Sequence, residues 1–438
     1  MAGAAPPDMA PDPAVSWDAV VVGGGLAGLT AGLRLAERGS RVVVLEKGAD
    51  ERYPCNARYS GGGFHVCFQR VDDDAGALAD AIARATQGFA DAALAAAVAR
   101  DARTAVHWLK SKGIRFIKSG PDAWRENTLA PPLPARAGLH WEGRGSDVLI
   151  RTLGKMLQDA GGTLSRGARA TRLLMDGTRC TGVAVDRGSE SFAITARGVV
   201  LCDGGFQSNT ELLREFVTAA PKKLKQRNAG AGNGDALQMA RAVGAKLVGM
   251  DLFYGHLLAR DAMRNDALWP YPMVDYLCAA GVVIDAAGRR FADEGLGGVF
   301  LSNQLARLAD PLSAIVVYDE AIWNGPGRGH TIPANPHLVA GGAEIITAQD
   351  LRALGDRLGL PAGALEATLR DYNAALAAGK PRDLAPPRTA APHRPYPIAQ
   401  PPFHALRLCA GITFTMGGIA TDDEGRVLDE KNAPIPGL

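Results

Sequence analysis

Hydrophobic and polar positions near the start of the chain change period twice within thirty residues. An apolar, β-branched run at 19–22 predicts a buried parallel strand. Apolar residues then recur at helical spacing, at Leu26, Leu29 and Leu33, and predict a helix. A second β-branched run at 42–45 predicts another strand. The order strand, helix, strand predicts a βαβ unit of a parallel sheet.

The same patterns continue along the chain. Helical spacing predicts two helices over 74–112, one over 146–160 that Ser146 or Asp147 caps, and further helices after the turn at 232 and over 348–358 and 361–378. Alternating or β-branched runs predict strands at 170–175, 180–186, 198–201, 281–285 and 314–318, and strand-like structure over 404–438. The turn Asp176–Gly177 predicts a hairpin between the strands at 170–175 and 180–186.

Composition narrows the class of protein. The 438 residues exceed one compact core, which predicts two domains. The formal charge of +2 gives no reason to expect nucleic acid or an anionic membrane as partner. The six cysteines form no CxxC pair, which disfavours a zinc knuckle, an iron–sulfur cluster and c-type haem, and no metal is expected. Scattered thiols, the lack of a long apolar run and the Ala/Pro-rich start without signal-peptide features predict a cytoplasmic protein.

Three glycines stand between the first strand and the first helix at the GxGxxG spacing, namely Gly23, Gly25 and Gly28. Gly23 permits a tight turn, Gly25 lets a pyrophosphate approach the backbone, and Gly28 lets helix and strand pack closely. Glu46 ends the second strand, where it can accept hydrogen bonds from a ribose diol and disfavours a 2′-phosphate. The combination predicts dinucleotide binding. The alternative is a structural βαβ unit with a glycine-rich turn.

A series of motifs in a fixed order resembles one family. These motifs are VVVGGGLAGLTAGLRLAERG, NARYSGGGF, GVVLCDGGF, GNGDALQMARAVGA, GRRFADE, LEATLRDYNAALAAGK and PFHALRLCAGITFTMGGIATDDEGRVLDEKNAPIPGL. They are similar to those of the fumarate reductase and succinate dehydrogenase flavoproteins, which include 3-ketosteroid Δ1-dehydrogenases and tricarballylate dehydrogenase. The resemblance implies an α/β fold: a doubly wound, Rossmann-like FAD-binding domain, with a small antiparallel layer, and an inserted α+β capping domain.

With the composition, the resemblance divides the chain into segments. Residues 1–15 are expected to be a disordered tail, 16–245 the first part of the FAD-binding domain, 246–384 the capping and substrate domain, and 385–438 the return to the FAD-binding domain. Relatives continue past the IPGL motif, so the resemblance also implies that the 438-residue chain is truncated and binds FAD poorly.

The resemblance assigns cofactor contacts position by position. Asn56 stands where membrane-complex relatives carry a flavin-linking histidine, so the FAD is expected to be non-covalent. The expected cofactor-binding residues are Gly23, Gly25, Gly28, Glu46, Lys47, Asn56, Ser60, Gly61, Gly62, Gly63, Gly204, Gly205 and Asp235.

The departures from the family concern the substrate. Soluble fumarate reductases carry a Thr–Glu pair, an arginine acid and a clamping histidine at positions that here hold Met273, Val274, Gly298 and Phe414. The fumarate machinery is therefore expected to be absent, and Thr413 and Phe414 are expected to face a less charged or differently held substrate.

Three residues are candidates for catalysis: His256, Tyr254 and Tyr276. His256 stands in an aromatic segment that is predicted as a loop. The alternative for His256 is a core histidine whose hydrogen bonds are satisfied within the protein. The alternative for each tyrosine is a structural role. Arg290 is expected to pair with a neighbouring carboxylate such as Asp293 rather than with substrate.

The predicted function is an FAD-dependent oxidoreductase of the CH–CH donor class. It acts on a CH–CH or C=C bond next to an electron-withdrawing group, by hydride transfer to or from flavin N5. The expected partners are a small-molecule substrate and an electron donor or acceptor whose identity the residues do not reveal. Two alternatives stay open: an FAD-binding fragment without catalysis, and an FAD oxidase of amines or alcohols with a diverged cap.

Overall fold

The computed structural model of the protein describes residues 15–438, so the predicted tail at 1–15 lies, apart from its last residue, outside the described residues. In chain order, the strands are β1 (Trp17–Val22), β2 (Val42–Glu46), β3 (Phe116–Ile117), β4 (Thr128–Leu129), β5 (Thr163–Arg166), β6 (Arg169–Asp176), β7 (Arg179–Arg187), β8 (Glu190–Leu201), β9 (Lys225–Gln226), β10 (Leu247–Val248), β11 (Phe253–Ala259), β12 (Val282–Ile284), β13 (Ile315–Asp319), β14 (Ile345–Ala348), β15 (Phe403–Thr415) and β16 (Gly418–Ile419).

The helices carry the remaining regular structure. They are α1 (Leu26–Ala36), α2 (Asn56–Tyr59), α3 (Ala75–Ala85), α4 (Ala92–Ser111), α5 (Gly145–Asp159), α6 (Thr210–Phe216), α7 (Asp235–Ala242), α8 (Asp275–Ala280), α9 (Gly298–Ala306), α10 (Glu320–Asn324), α11 (Ala334–Ala340), α12 (Leu351–Leu358) and α13 (Ala364–Ala377). The two helices expected over 74–112, the hairpin of β6 and β7, and the helix after the turn at 232 are all present.

The first sheet has six strands in the order β5-β2-β1-β8-β7-β6. β5, β2, β1 and β8 run parallel, whereas β7 and β6 continue the sheet antiparallel. Alternate residues of β2 lie on opposite faces: Val42 and Val44 pack with Leu29 of α1, and Val43 packs with Met239 of α7. Because both faces are covered, the strands are apolar throughout. The predicted doubly wound α/β fold with a small antiparallel layer is confirmed.

The second sheet is built around β15, which has 13 residues. Its order is β11-β15-β13-β12, and β14 and β9 also pair with β15. The strand character predicted for the start of 404–438 is present, but β15 lies at the centre of this sheet and not in the first one. The chain returns to the first sheet later, where the amide of Val199 donates to the carbonyl of Gly437 at 2.8 Å. The long apolar run of β15 has many partners here because antiparallel neighbours cover most of its length.

Two local predictions are wrong. α5 begins at Gly145 with Arg144 as its N-cap residue, and neither Ser146 nor Asp147 caps it. Asp147 is fully buried and instead receives the guanidinium of Arg58, so it serves a buried ion pair. His256 lies in β11 and not in a loop, because its flanking residues Gly255 and Leu257 pair with β15.

Candidate active site

A cavity opens at the carboxyl ends of β1, β2 and β8, where ligands bind in doubly wound sheets. Its volume is about 370 Å³, which lies within the range of small-molecule and cofactor sites. Eight of the thirteen expected cofactor residues line it: Gly23, Gly25, Glu46, Lys47, Asn56, Gly204, Gly205 and Asp235. The topology therefore brings together residues 212 positions apart, Gly23 and Asp235.

The three glycines of the first turn have different surroundings. Gly23 has φ +103°, and a Cβ there would lie 2.5 Å from the carbonyl oxygen of Cys202. A Cβ on Gly28 would lie 1.8 Å from the carbonyl oxygen of Gly23, so this glycine serves the packing of α1 on β1 and does not line the cavity. Gly25 has no atom within 4 Å of its Cβ position and faces the cavity. Only Gly25 thus leaves room for a ligand at the start of α1.

Glu46 is buried in the wall of the cavity. Its carboxylate accepts hydrogen bonds from the amides of Gly24 at 2.9 Å and Gly48 at 2.7 Å. Burial raises the pKa of Glu46, although these amides oppose the shift. Each oxygen has two acceptor positions, so the carboxylate can still accept from a ribose hydroxyl. The backbone holds the side chain in place for that contact.

Two cations and two carboxylates form a cluster on the same wall. Asp235 pairs with Lys47 at 2.9 Å and with Arg169 at 2.7 Å. Burial opposes ionisation of Asp235, but the hydrogen bonds from Arg169 and Lys47 outweigh it and lower its pKa. Burial also raises the pKa of Asp203 to about 6, while the amide of Ala236 donates to its carboxylate at 2.9 Å. The cluster therefore holds two cations on the cavity wall, where both share the charge of Asp235.

The far end of the cavity carries an acceptor without a partner. Gln207 lines the cavity and is 2% exposed, and its Oε1 accepts no hydrogen bond within the described structure. A Cβ on Gly232 would lie 2.0 Å from its Nε2, so this glycine makes room for the amide. Buried polar groups are normally paired. A ligand with an N–H donor, such as a flavin ring, satisfies this oxygen, and FAD fits the cavity residues. Sequence reasoning missed Gln207, because nothing but its place after GGF marks it.

Asn56 joins three segments at this end. Its Nδ2 donates to the carbonyl of Thr413 at 2.9 Å, and its Oδ1 accepts from the amide of Ala229 at 3.0 Å. The second glycine cluster lies elsewhere: none of Ser60, Gly61, Gly62 and Gly63 lines the cavity in the described structure. The carbonyl of Gly62 accepts from the amide of Leu129 at 2.9 Å, so the cluster packs on β4. A flavin contact from the cluster stays a prediction.

A hydrogen-bonded chain of three side chains adjoins the cavity. The Tyr254 hydroxyl lies 3.1 Å from Nε2 of His256, and Nδ1 of His256 lies 2.5 Å from Oδ2 of Asp275. The other oxygen of Asp275 accepts from the amide of Leu257 at 2.8 Å, which fixes the carboxylate. The ring of Tyr254 stacks on Phe414 with 4.8 Å between centroids, and Phe414 lines the cavity. The chain Tyr254–His256–Asp275 is therefore one side chain away from the cavity.

Asp275 was not a candidate from the sequence, yet Gly298 indicates why it fits. A Cβ on Gly298 would lie 2.0 Å from Cγ of Asp275. Gly298 is the position at which the resemblance implies the arginine acid of fumarate reductases. A larger residue at position 298 would occupy the space of the Asp275 carboxylate. The glycine in this protein leaves that space to Asp275.

Two further residues singled out in the sequence, Tyr276 and Arg290, make other contacts. Tyr276 is the second residue of α8 and is 47% exposed. Its ring centroid lies 5.9 Å from that of His330 and 6.1 Å from that of His393. Arg290 does not pair with Asp293: its Nη2 lies 2.6 Å from Oε2 of Glu294, which is fully buried. Arg290 thus pairs with a neighbouring carboxylate as predicted, but with Glu294, because the Asp293 carboxylate accepts from the amide of Thr389.

Residues 15–438 contain neither a metal-ligand cluster nor a candidate membrane-spanning helix. No group of three or more His, Cys, Asp or Glu side chains in that range is arranged to hold a metal ion. No helix in the same range is long and apolar enough to cross a bilayer.

Known proteins resemble this chain over nearly all of its length. It is 25% identical to a vinyl phenol reductase of Lactiplantibacillus plantarum, covering 97% of this chain and 88% of that protein. It is 26% identical to a urocanate reductase of Eggerthella lenta, covering 96% and 68%. A 3-ketosteroid Δ4-(5α)-dehydrogenase structure from Rhodococcus jostii RHA1 superposes with a TM-score of 0.71 at 21% identity, covering 98% and 90%, which shows a shared fold. The family described as FAD binding domain matches residues 18–438. With a match of that extent and a cavity whose residues fit the cofactor, the protein belongs to the FAD binding domain family and binds FAD.

Proposed function

We propose that the protein is an FAD-dependent oxidoreductase that acts on a CH–CH or C=C bond next to an electron-withdrawing group. The observation that carries the proposal is the hydrogen-bonded chain Tyr254–His256–Asp275, which would supply a proton donor next to Phe414 in the wall of the cavity. The names of the vinyl phenol and urocanate reductases support it, because both denote reduction of unsaturated compounds.

Different cavity residues would hold different parts of the cofactor. Glu46 would accept from the adenosine ribose, and Lys47 and Arg169 would face the pyrophosphate at the start of α1. Gln207 would accept from the flavin ring. When bound, FAD supplies hydride exchange at N5. Both polar atoms of the Asn56 amide are bonded to the backbone, which supports a non-covalent cofactor.

The three-residue chain would move the proton. Burial raises the pKa of Tyr254, so its hydroxyl stays protonated near neutral pH and can donate a proton to the substrate carbon beside the one that exchanges hydride. His256 would return a proton to the tyrosine oxygen through Nε2. Asp275 would accept from Nδ1–H, which fixes the tautomer and orients the ring. Tyr276 has no hydrogen bond to this chain in the described structure, and its part in catalysis stays a prediction.

We also propose a cap over the flavin, a cytoplasmic location and a separate redox partner. Residues 246–384 would close over the flavin as a cap, with Thr413 and Phe414 facing the substrate. All six cysteines are unpaired, which supports a reducing, cytoplasmic compartment. The electron donor or acceptor would be a separate redox partner.

Anaerobic photoreduction of the FAD-loaded protein tests the proposal against its two alternatives. Mixing with a panel of enones and unsaturated acids should reoxidise the flavin and yield the saturated products. Reoxidation by oxygen alone favours an FAD oxidase with a diverged cap. A purified protein without a flavin spectrum after incubation with FAD favours a fragment without catalysis.

A further inference from the structure

Arg227 is a buried cation without a counter-ion in the described structure. It follows β9 directly and is 9% exposed. Among residues 15–438, no carboxylate lies within ion-pair distance of its guanidinium. Burying an unpaired charge is costly, so buried arginines normally pair with a carboxylate or bind a ligand.

The neighbours of Arg227 hold the guanidinium without neutralising it. Its Nε donates to the carbonyl of Pro270 at 3.1 Å, and Nη1 donates to Oγ1 of Thr413 at 3.0 Å. Nη2 makes only a long 3.6 Å contact with the sulfur of Met273. The face of the guanidinium lies 5.4 Å from the ring centre of Tyr271. Arginine has five N–H donors, so donors remain for a ligand.

Arg227 and the proposed proton donor contact neighbouring residues of β15. Arg227 bonds to Thr413, and Tyr254 stacks on Phe414. A second link runs through rings: Tyr271 lies under the guanidinium, His330 stacks on Tyr271, and Tyr276 beyond His330 directly follows Asp275, the last member of the chain Tyr254–His256–Asp275. A ligand held by Arg227 would thus lie among the side chains that connect Arg227 with Tyr254.

The surroundings of Arg227 are flat and aromatic. Tyr271 lies under the guanidinium, and the imidazole of His330 stacks on Tyr271 with 6.1 Å between centroids and 25° between planes. Tyr276 lies 5.9 Å beyond His330. Aromatic walls favour planar groups, which stack on them. One uncompensated cation matches one negative charge.

We propose that Arg227 is the anchor for the electron-withdrawing group of the substrate, and that this group is the single carboxylate of a planar, aryl-substituted 2-enoate. The proposal rests on the proposed function and names its substrate class. A guanidinium at the carboxylate would orient the acid and stabilise the negative charge that develops on its oxygens when hydride reaches the β-carbon. Arg227 also supplies a positive charge that is missing at Gly298 and Phe414, where the resemblance implies an arginine and a histidine in fumarate reductases.

Binding to the oxidised, FAD-loaded protein tests the anchor without turnover. The probes are trans-cinnamate, its uncharged isostere cinnamamide, and the dicarboxylate fumarate, each titrated calorimetrically and by changes in the flavin absorbance. Cinnamate should bind more tightly than either other probe. The Arg227→Gln substitution should weaken cinnamate binding roughly 10- to 100-fold and leave cinnamamide nearly unchanged. Arg227→Lys should restore part of the loss.

Lys225→Gln is the matched control. It removes an equal charge two residues away, but Lys225 already pairs with Asp266 at 3.1 Å. Cinnamate binding in this variant should equal that of the unaltered protein. If Arg227→Gln fails to retain FAD, Arg227→Lys is tested instead. The ratio of its cinnamate affinity to its cinnamamide affinity should be lower than in the unaltered protein.

Three results would overturn the anchor: equal cinnamate binding with and without the arginine, an equal loss in Lys225→Gln, or preference for cinnamamide in the unaltered protein. Each leaves the proposed function intact if neutral enones still reoxidise the photoreduced flavin. Conversely, cinnamate binding that depends on Arg227, without reoxidation by any unsaturated compound, would contradict the proposed function and not the anchor.

Discussion

The cofactor cavity and the substrate region are built on different principles. The cavity is formed by turns that follow parallel strands, and its shape depends on missing side chains at Gly23 and Gly25. The proposed substrate region is formed by side chains, with Tyr254 and His256 of β11 brought together with Asp275 of α8. The first kind of site is encoded by local spacing. The second depends on sheet register and on which carboxylates and cations remain unpaired after folding.

The largest expected effect comes from filling the space at Gly28. The substitution Gly28→Val places a branched side chain where even a Cβ would lie 1.8 Å from the carbonyl oxygen of Gly23. We expect complete loss of FAD binding and a strongly lowered melting temperature, measured by flavin absorbance and calorimetry.

Gly25→Ala is the control for this prediction, because its Cβ has free space of 4 Å around it and points toward the cavity. It should weaken FAD binding while leaving the melting temperature of the apoprotein unchanged. Equal melting temperatures for the two variants would show that Gly28 has no packing role.

In the substrate region the effect should fall on rate and not on cofactor binding. Asp275→Asn keeps an acceptor for the amide of Leu257 but loses the acceptor for Nδ1–H of His256, so the imidazole loses its fixed tautomer. We expect kcat for a reactive enone to fall roughly 10- to 1000-fold with FAD content unchanged.

The control for Asp275 is Asp266→Asn, which removes an exposed carboxylate that pairs with Lys225. Its kcat should match that of the unaltered protein. A changed KM with an unchanged kcat in Asp275→Asn would mean that the carboxylate only shapes the pocket.

A smaller effect concerns the cavity wall. The pKa of Asp203 is raised by burial from 3.8 to about 6, so the folded apoprotein holds a proton that the unfolded chain releases between about pH 4 and pH 6. Asp203 therefore lowers stability progressively as pH rises through this window. Asp203→Asn should gain about 3 kcal/mol of stability relative to the unaltered protein at pH 7, and much less at pH 4.

Denaturant unfolding of the two apoproteins across this range measures the difference. A difference that is constant from pH 4 to pH 7 would show that the Asp203 carboxyl titrates normally.

The difference between local spacing and long-range pairing decides which parts of the protein could be predicted from the sequence. The βαβ unit, its glycines and Glu46 are predictable because they lie within thirty residues and their spacing reflects local geometry. Asp275 and Gln207 could not be found this way, since Asp275 matters only because β11 places His256 beside it and Gly298 leaves it room. The central place of β15 depends on pairing with strands more than eighty residues away, which no local pattern encodes.

Single-turnover reoxidation of the photoreduced flavin tests directly whether the Tyr254 hydroxyl donates a proton to an unsaturated substrate. The unaltered protein and Tyr254→Phe are photoreduced without oxygen and mixed with trans-cinnamate and with a neutral enone, and the return of oxidised-flavin absorbance is followed. The phenylalanine keeps the stacking on Phe414 and removes only the hydroxyl. The account predicts rapid reoxidation by at least one unsaturated compound in the unaltered protein, and a rate about 10² to 10⁴ times lower in Tyr254→Phe at equal FAD content. Equal rates in the two proteins would contradict it.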